Sequence, residues 1–332
     1  MTLAIATADS PWPLPLKPQI EAALDRFLPS ADTQPEPLHR ALRYAVFAEG
    51  KRLRPQLLLH VAAACGASAS DADLAMRAAC AVELVHIASL AHDDLPCFEN
   101  TSLRRGRPTV HALYGEAHAL LVGDALLTHS FDLLLSAPRA QATRALRIGQ
   151  LLARAASTSC GLGGGFSSAH DAPACVRPAE SAARYHAIKS GALFAMAAES
   201  GAMAAGSRRT EDWARVGRLV SQGYQLVHAL RALPSLVEPV AGGSGHGAAY
   251  ALLPQPRVML QQQLATLAAT LHGQIGAMAV RAQPLLDFLA ALYVPLLPGG
   301  SSHPATTASS ASGFCEHGSG AAAFPSPSSV RK

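Results

Sequence analysis

The stretch from Glu83 to Gly106 constrains this chain more than any other, because it places two carboxylates at the end of an apolar helix. Residues three, four or seven positions apart lie on one helical face, so His86, Leu90 and Asp93 or Asp94 face the same way. The residues between them are small or apolar. The stretch therefore predicts a largely buried helix that delivers a histidine and a pair of acids to one point.

Pro96 ends this helix, since proline lacks an N–H group and its ring clashes with the preceding turn. The break lets Glu99 fold back toward Asp93, and two or three carboxylates around one point suit magnesium. Arg104 and Arg105 follow, and planar guanidinium groups match phosphate oxygens. The stretch predicts a diphosphate held between magnesium and arginines, although by itself it also fits a solvated acidic helix end followed by a basic turn.

Three segments resemble a known family in order and spacing. EGKRLRP (49–55), HIASLAHDDLPCFE (86–99) and LRRGRPT (103–109) are similar to GGKRxRP, HxxSLxHDDxxxxD and LRRGxPT of the trans-prenyl diphosphate synthases. The similarity continues through residues 111–127. The LPCF insertion between the acids is most like the bacterial geranylgeranyl diphosphate synthases of carotenoid pathways.

The resemblance implies a role for each matching residue. The family's first substrate, isopentenyl diphosphate, would be bound by Lys51, Arg54, His86 and Arg105. Asp93 and Asp94 would be catalytic, and magnesium would bind Asp93 and Glu99, where Glu99 replaces the usual aspartate. Arg52 is equally compatible with a ligand contact and with a structural salt bridge.

A second substrate-binding segment, HAIKSGALF (186–194), matches the family's HxxKTGAL. The resemblance implies that the allylic diphosphate contacts Arg104, Lys189 and Ser190, with Lys189 also catalytic. It further implies that Ala88 and Ser89 set the product length. Both are small where bulky aromatics would stop growth at farnesyl, so geranylgeranyl diphosphate is the expected product.

The family's second acidic motif is missing. Residues 223–232 read GYQLVHALRA, which keeps Gln225 as a substrate-binding residue but has His228, Ala229 and Ala232 in place of aspartates. In the family mechanism this motif holds the third of three magnesium ions, so its loss could lower the rate by orders of magnitude. His228 and Arg231 could instead hold the diphosphate directly.

The composition favours helices, since alanine and leucine are abundant and strand-like alternation is scarce. Together with the resemblance it predicts an all-α, single-domain isoprenoid synthase bundle of roughly ten helices around a central cavity, and a homodimer. We expect a flexible lead-in over 1–16, the helical domain over 17–298 and a disordered tail over 299–332. Residues 109–136 should form a buried helix or helix pair, with Asp124 in an apolar setting.

The remaining features argue against other classes. A formal net charge of +4 without a basic block gives no reason to expect nucleic acid as a partner. The sequence has no convincing secretion signal, and no uncharged apolar run is long enough for a transmembrane segment. The six cysteines lack metal-binding spacing. We therefore expect a cytoplasmic protein.

Three functions stay open. The first is condensation of isopentenyl diphosphate with an allylic diphosphate. The second is a catalytically degenerate family member that binds diphosphates or partners an active synthase, which the missing motif favours. The third is a terpene cyclase-like enzyme, but GKRLRP and LRRGRPT argue against it because a cyclase needs no isopentenyl site.

Overall fold

The computed structural model describes residues 11–158, 161–164, 190–233, 256–293 and 296–297. In chain order the α-helices are α1 (Leu16–Phe27), α2 (Glu36–Val46), α3 (Leu53–Ala64), α4 (Ala72–Asp93), α5 (Val110–Tyr114), α6 (Glu116–Leu135), α7 (Ala142–Ala156), α8 (Ala192–Ala204), α9 (Thr210–Ala232), α10 (Arg257–Met278) and α11 (Gln283–Tyr293). Short 3₁₀ turns precede α4 and α7.

The predicted all-α fold is confirmed. Strand structure within the described residues is limited to a two-stranded hairpin, β1 (Leu103–Arg104) and β2 (Arg107–Pro108). This antiparallel pair places Arg104 opposite Arg107, with Arg105 and Gly106 at the turn, both at positive φ. Glycine adopts that conformation without strain, whereas Arg105 is held in it by its surroundings.

Helix α4 forms the centre of the bundle. Sixteen of its 22 residues are buried, and it packs against α6, α3 and α8. A helix that is apolar on all sides is stable only when neighbours cover every face, which explains its small residues such as Ala78, Ala79 and Ala81. The last turn of this covered helix carries the acidic pair, so the core fixes the position of both carboxylates.

Two of the described helices are long and apolar enough to cross a membrane by length and composition alone, Ala69–Asp93 and Glu116–Leu135. The most apolar window of the first is 83% buried within the protein, so it is a core helix. The corresponding window of the second is 39% buried and leaves apolar side chains uncovered.

Several predicted details differ from the structure. Residues 109–136 form the pair α5 and α6, but α6 is not fully buried, and Asp124 on it is exposed. The helical periodicity and the composition of a sequence do not show which faces of a helix lack a neighbour. The prediction of a buried setting for Asp124, which rested on the apolar residues around it, was therefore wrong. Trp12 and Leu16, within the predicted lead-in, pack into the core.

Candidate active site

Six of the predicted residues line a cavity of about 610 Å³ beside the end of α4, namely Lys51, Arg54, His86, Asp94, Arg104 and Arg105, whereas Asp93 and Glu99 are not part of its lining. Its wall combines the loop before α3, the inner face of α4, the β-hairpin and two residues of α9, Tyr224 and His228. Seven lysine and arginine side chains line it against three carboxylates. Its positively charged residues are Lys17, Lys51, Arg52, Arg54, Arg104, Arg105 and Arg107.

The acidic end of the site follows the geometry that Pro96 predicts. α4 ends at Asp93, and the backbone N–H of Glu99 donates to the carbonyl of Asp93 over 2.9 Å. Both aspartates are buried, with 6% of Asp93 and 4% of Asp94 exposed. The turn therefore returns the backbone of Glu99 to the end of α4.

A cation from the hairpin already neutralises this end. The Arg104 Nε lies 2.9 and 3.1 Å from the two carboxylate oxygens of Asp94, and its Nη2 lies 2.6 Å from Oδ1. The same Nη2 is 4.0 Å from Glu99 Oε2. Burial opposes the charge of Arg104, but the hydrogen bonds with Asp94 and the charges of Asp94, Asp93 and Glu99 outweigh it and raise the pKa of the guanidinium.

The donor set at this end fits magnesium. Among the residues that the structure describes, no group of three His, Cys, Asp or Glu side chains is assembled as a metal site. Magnesium usually takes only one or two carboxylates, with water and substrate phosphates completing its shell. Asp93 and Glu99 supply carboxylate oxygens, and the positive charge of Arg104 lies close to both side chains.

The four basic residues predicted to hold isopentenyl diphosphate line the same cavity, although they come from three segments. They are Lys51, Arg54, His86 and Arg105. Gly50 lies between two guanidinium groups, and a Cβ there would come within 3.3 Å of both Arg52 and Arg105. A larger residue would push the cations apart, which explains the glycine of the GKRLRP segment.

Arg54 has the chemistry of an anion-binding group. Its guanidinium carbon lies 4.7 Å from the centre of the Phe194 ring, and its buried Nε has no hydrogen-bond partner. Burial lowers the pKa of Arg54, and the nearby charge of Glu83 only partly offsets this. A desolvated arginine that lines a cavity with a donor unsatisfied is a binding group for a carboxylate or phosphate.

His86 is neutral in this setting. Burial first, and then the charges of Arg54, Arg105 and Arg104, lower its pKa well below the usual value for histidine. A neutral imidazole can donate one hydrogen bond to a ligand without adding a further positive charge to a crowded cationic site.

Arg52, whose role the sequence left open, is structural. It is 5% exposed, and its Nη1 lies 3.0 Å from Glu83 Oε1, while Nη2 donates to the carbonyl of Val46 over 2.6 Å. Glu83 is itself buried on α4. This pair fixes the loop before α3 against the central helix and so positions Lys51 and Arg54.

Sequence reasoning missed an aromatic support for the hairpin. The Arg107 guanidinium lies 4.6 Å from the ring centre of Tyr44, and the Tyr44 hydroxyl donates to the carbonyl of Pro108 over 2.8 Å. Arg107 stands inside the matching LRRGRPT segment, but nothing in the sequence links that segment to a tyrosine more than 60 residues earlier.

The remaining predicted residues are placed differently. Lys189 lies outside the described residues, and Ser190 and Gln225 are half-buried. Ala88 and Ser89 are buried, and neither is among the residues that line the cavity, whose α4 wall includes Ile87, Leu90 and Ala91. Their role in product length stays a prediction.

Helix α9 carries no carboxylate after Asp212. Tyr224 and His228 face the cavity, with their ring centres 4.4 Å apart in an edge-on arrangement. The α9 residues therefore do not fit a second carboxylate-bound magnesium.

The fold and this site define a class: an all-helical protein whose central cavity holds phosphate-binding cations beside a carboxylate motif. Comparison with known proteins agrees. Residues 35–228 match the model of the polyprenyl synthetase family, and the chain belongs to that family. The matched region ends at His228, where the second acidic motif should begin.

Two bacterial relatives are named geranylgeranyl diphosphate synthase. The one from Cereibacter sphaeroides is 42% identical over 202 residues, covering 59% of this chain and 65% of the relative. The one from Rhodobacter capsulatus is 38% identical over 221 residues, covering 65% of this chain and 72% of the relative. The match thus spans less than two thirds of the first relative's length.

Solved structures extend the similarity of fold beyond the matched sequence. An apo FPP/GFPP synthase from Zymomonas mobilis superimposes with a TM-score of 0.70 at 27% identity, covering 83% of this chain and 97% of that one. A geranyltransferase from Legionella pneumophila gives a TM-score of 0.69 at 25% identity.

Proposed function

We propose that this chain is a prenyl diphosphate synthase that joins isopentenyl diphosphate to an allylic diphosphate and produces geranylgeranyl diphosphate. One observation carries the proposal: a single cavity is lined by a basic set, Lys51, Arg54, His86 and Arg105, and by Asp94 at the end of α4. The names of the bacterial relatives support the product, and a relative from Fischerella ambigua, 36% identical, is named dimethylallyltranstransferase.

The basic set binds isopentenyl diphosphate. Arg54 contributes a buried, unsatisfied guanidinium, Arg105 contributes a second cation from the hairpin turn, and His86 contributes a neutral donor. Ile87, Leu90 and Ala91 form an apolar wall between this set and the acidic end. That wall suits the hydrocarbon part of the substrate and excludes water from the reacting carbons.

The carboxylate end receives the allylic diphosphate. Asp93 and Glu99 would hold magnesium, which stabilises the negative charge that develops on the departing diphosphate. Arg104, already bound to Asp94, lies beside these oxygens and donates to the same phosphate group. Lys189 and Ser190 are proposed to contact this diphosphate as well. Ala88 and Ser89, which are small and buried, are proposed to set the product length, as the family resemblance implies.

We further propose a homodimer, supported by the uncovered face of α6. Leu120 and Leu121 are 50% and 49% exposed there, and Leu113 on the neighbouring α5 is 51% exposed. Neighbouring exposed leucines of this kind mark an interaction surface. Light scattering of Leu121→Glu should show a monomer, whereas Val258→Glu, on the exposed surface of α10, should leave the dimer intact.

A cytoplasmic location remains a prediction from sequence.

Two alternatives have less support. A non-catalytic diphosphate-binding partner subunit is suggested by the absence of carboxylates from the cavity face of α9, but the named relatives favour the synthase. A cyclase does not require the basic set that shares the cavity with the acidic motif.

The test is to incubate purified protein with isopentenyl diphosphate, farnesyl diphosphate and magnesium, and to identify extracted lipids by mass spectrometry. Geranylgeranyl diphosphate should form, and a chelator or Arg54→Gln should abolish it. Binding of both substrates without any lipid product would contradict the synthase and support the partner subunit.

A further inference from the structure

The end of α9 beside the cavity carries a histidine and an arginine where a metal-binding helix would carry carboxylates. Tyr224, His228 and Arg231 are spaced four and three residues apart, so they share one face. Tyr224 and His228 line the cavity together with Lys51 and Arg105. Arg231 is one turn beyond, at the exposed end of the helix, and its charge acts on both His228 and Lys51.

The positive charges of Lys51, Arg105 and Arg231 repel one another. Burial, then Arg231, then Arg105 lower the pKa of Lys51. Burial, then Arg231, then Lys51 lower the pKa of His228. Within the described part of the chain, none of these residues has a carboxylate within ion-pairing distance, since the ion pairs of the site use Arg52 and Arg104. A cluster held together against its own repulsion is stabilised by an anion.

The geometry also fixes the direction in which the cluster faces. His228 packs edge-on against Tyr224, and the ring centre of Tyr224 lies 5.7 Å from that of Phe194. The Arg54 guanidinium lies over the Phe194 ring, 4.7 Å from its centre. This row of rings connects α9 to the basic set and directs His228 toward the same volume as Arg54.

We infer that His228 and Arg231 of α9 bind a diphosphate group together with Lys51 and Arg105, in place of a second carboxylate-bound metal ion. The inference rests on the proposed function for the identity of the substrate, but the site itself needs only a diphosphate. From the α9 side, Arg231 supplies positive charge and His228 supplies a hydrogen-bond donor to the phosphate oxygens, so binding there requires no divalent ion.

Titration calorimetry with inorganic pyrophosphate in the presence of a chelator tests the inference. Wild-type protein should bind, and His228→Asn or Arg231→Gln should each weaken binding by about tenfold or more, as expected when a charge-assisted hydrogen bond is lost. Arg231→Lys should retain most of the affinity. Arg215→Gln, an exposed arginine of α9 that pairs with Asp212, should bind like wild type.

A triple variant introduces the carboxylates that the family's second motif would carry. His228→Asp combined with Ala229→Asp and Ala232→Asp should lose metal-free pyrophosphate binding, and its binding should become dependent on magnesium. Wild-type affinity in the His228 and Arg231 variants would overturn the inference, as would a wild-type protein that binds pyrophosphate only with magnesium. Because the readout is binding, lipid synthesis by such a protein would leave the proposed function standing. Metal-free binding without lipid synthesis would refute only the proposed function.

Discussion

Arg104 holds both carboxylate oxygens of Asp94, with Nε–O distances of 2.9 and 3.1 Å. Asp94 is almost fully buried, whereas the Arg104 side chain is 31% exposed toward the cavity. The Nε and Nη2 donors of the guanidinium are thus bound to Asp94, and the pair joins the β-hairpin to the end of α4. A phosphate that reaches this point meets a cation whose orientation is already fixed.

Breaking this pair should reduce stability. Arg104→Gln leaves the buried Asp94 carboxylate unpaired, and we expect a loss of about 2 kcal/mol in the free energy of unfolding, below the range for fully buried pairs because Arg104 is partly exposed. Urea denaturation measures it. Asp94→Asn combined with Arg104→Gln should recover part of the loss, and a purely additive double variant would show that the two residues are not coupled.

Gly123 on α6 leaves room for the imidazole of His92. A Cβ at residue 123 would overlap this imidazole, whose Nε2 lies 3.2 Å from the carbonyl oxygen of Leu120. Gly123→Ala should therefore turn the imidazole away from that carbonyl and lower stability by about 1 kcal/mol. Thermal melts measure the effect.

Gly149→Ala is the matched control for this substitution. Its Cβ would meet only Leu134 at 3.9 Å, and alanine is the better helix former, so we expect unchanged or slightly raised stability. Equal effects of the two substitutions would contradict the packing argument.

His60 should make stability depend on pH. Burial lowers the pKa of His60 to about 4 from 6.5, where it stacks on Phe288 with ring centres 4.7 Å apart. The unfolded chain binds the proton more tightly, so stability is full above pH 6.5 and falls as the pH drops toward 4. The contribution is about 3 kcal/mol over this window.

His60→Gln should remove that share of the acid sensitivity, measured as the difference in unfolding free energy between pH 7.5 and 5. The exposed His272→Gln should retain the wild-type slope. His86, whose pKa is also lowered, supplies a residual slope of the same sign. An unaltered pH dependence in His60→Gln would show that the imidazole is not buried in its neutral form.

Ala88 tests the product length. If Ala88 sets the product length, as the family resemblance implies, Ala88→Phe should shorten the product toward farnesyl diphosphate, whereas Ala88→Ser should still give geranylgeranyl diphosphate. Mass spectrometry of the extracted lipids distinguishes them, and a melt verifies that the phenylalanine variant folds. A folded phenylalanine variant with an unchanged product would show that the chain grows elsewhere.

Local chemistry predicted much of the site. Three local features are present as predicted: the apolar spacing of α4, the helix break at Pro96 and the backbone return of Glu99 to Asp93. Each depends on residues a few positions apart. The family resemblance brought together the four residues of the basic set, which no local pattern could place in one cavity.

Long-range packing decided the rest. The pairing of Arg52 with Glu83, 31 residues away, and the support of Arg107 by Tyr44 depend on how helices meet. Asp124 is exposed because no described helix covers that face of α6, whereas the leucine-rich sequence around it predicted a buried setting. The sequence already suggested that His228 and Arg231 hold a diphosphate, and the fold adds that His228 shares a cavity with Lys51.

The central claim is that one cavity holds two diphosphates, one bound by cations alone and one through a metal at Asp93. Calorimetry of isopentenyl diphosphate and then of a non-cleavable farnesyl diphosphate analogue tests it, with and without magnesium. The first ligand should bind with chelator present, and the second should bind tightly only with magnesium, in wild type and in the exposed control Asp132→Ala but not in Asp93→Ala. Magnesium-dependent binding of the analogue that survives in Asp93→Ala, or displacement of one ligand by the other, would contradict the account.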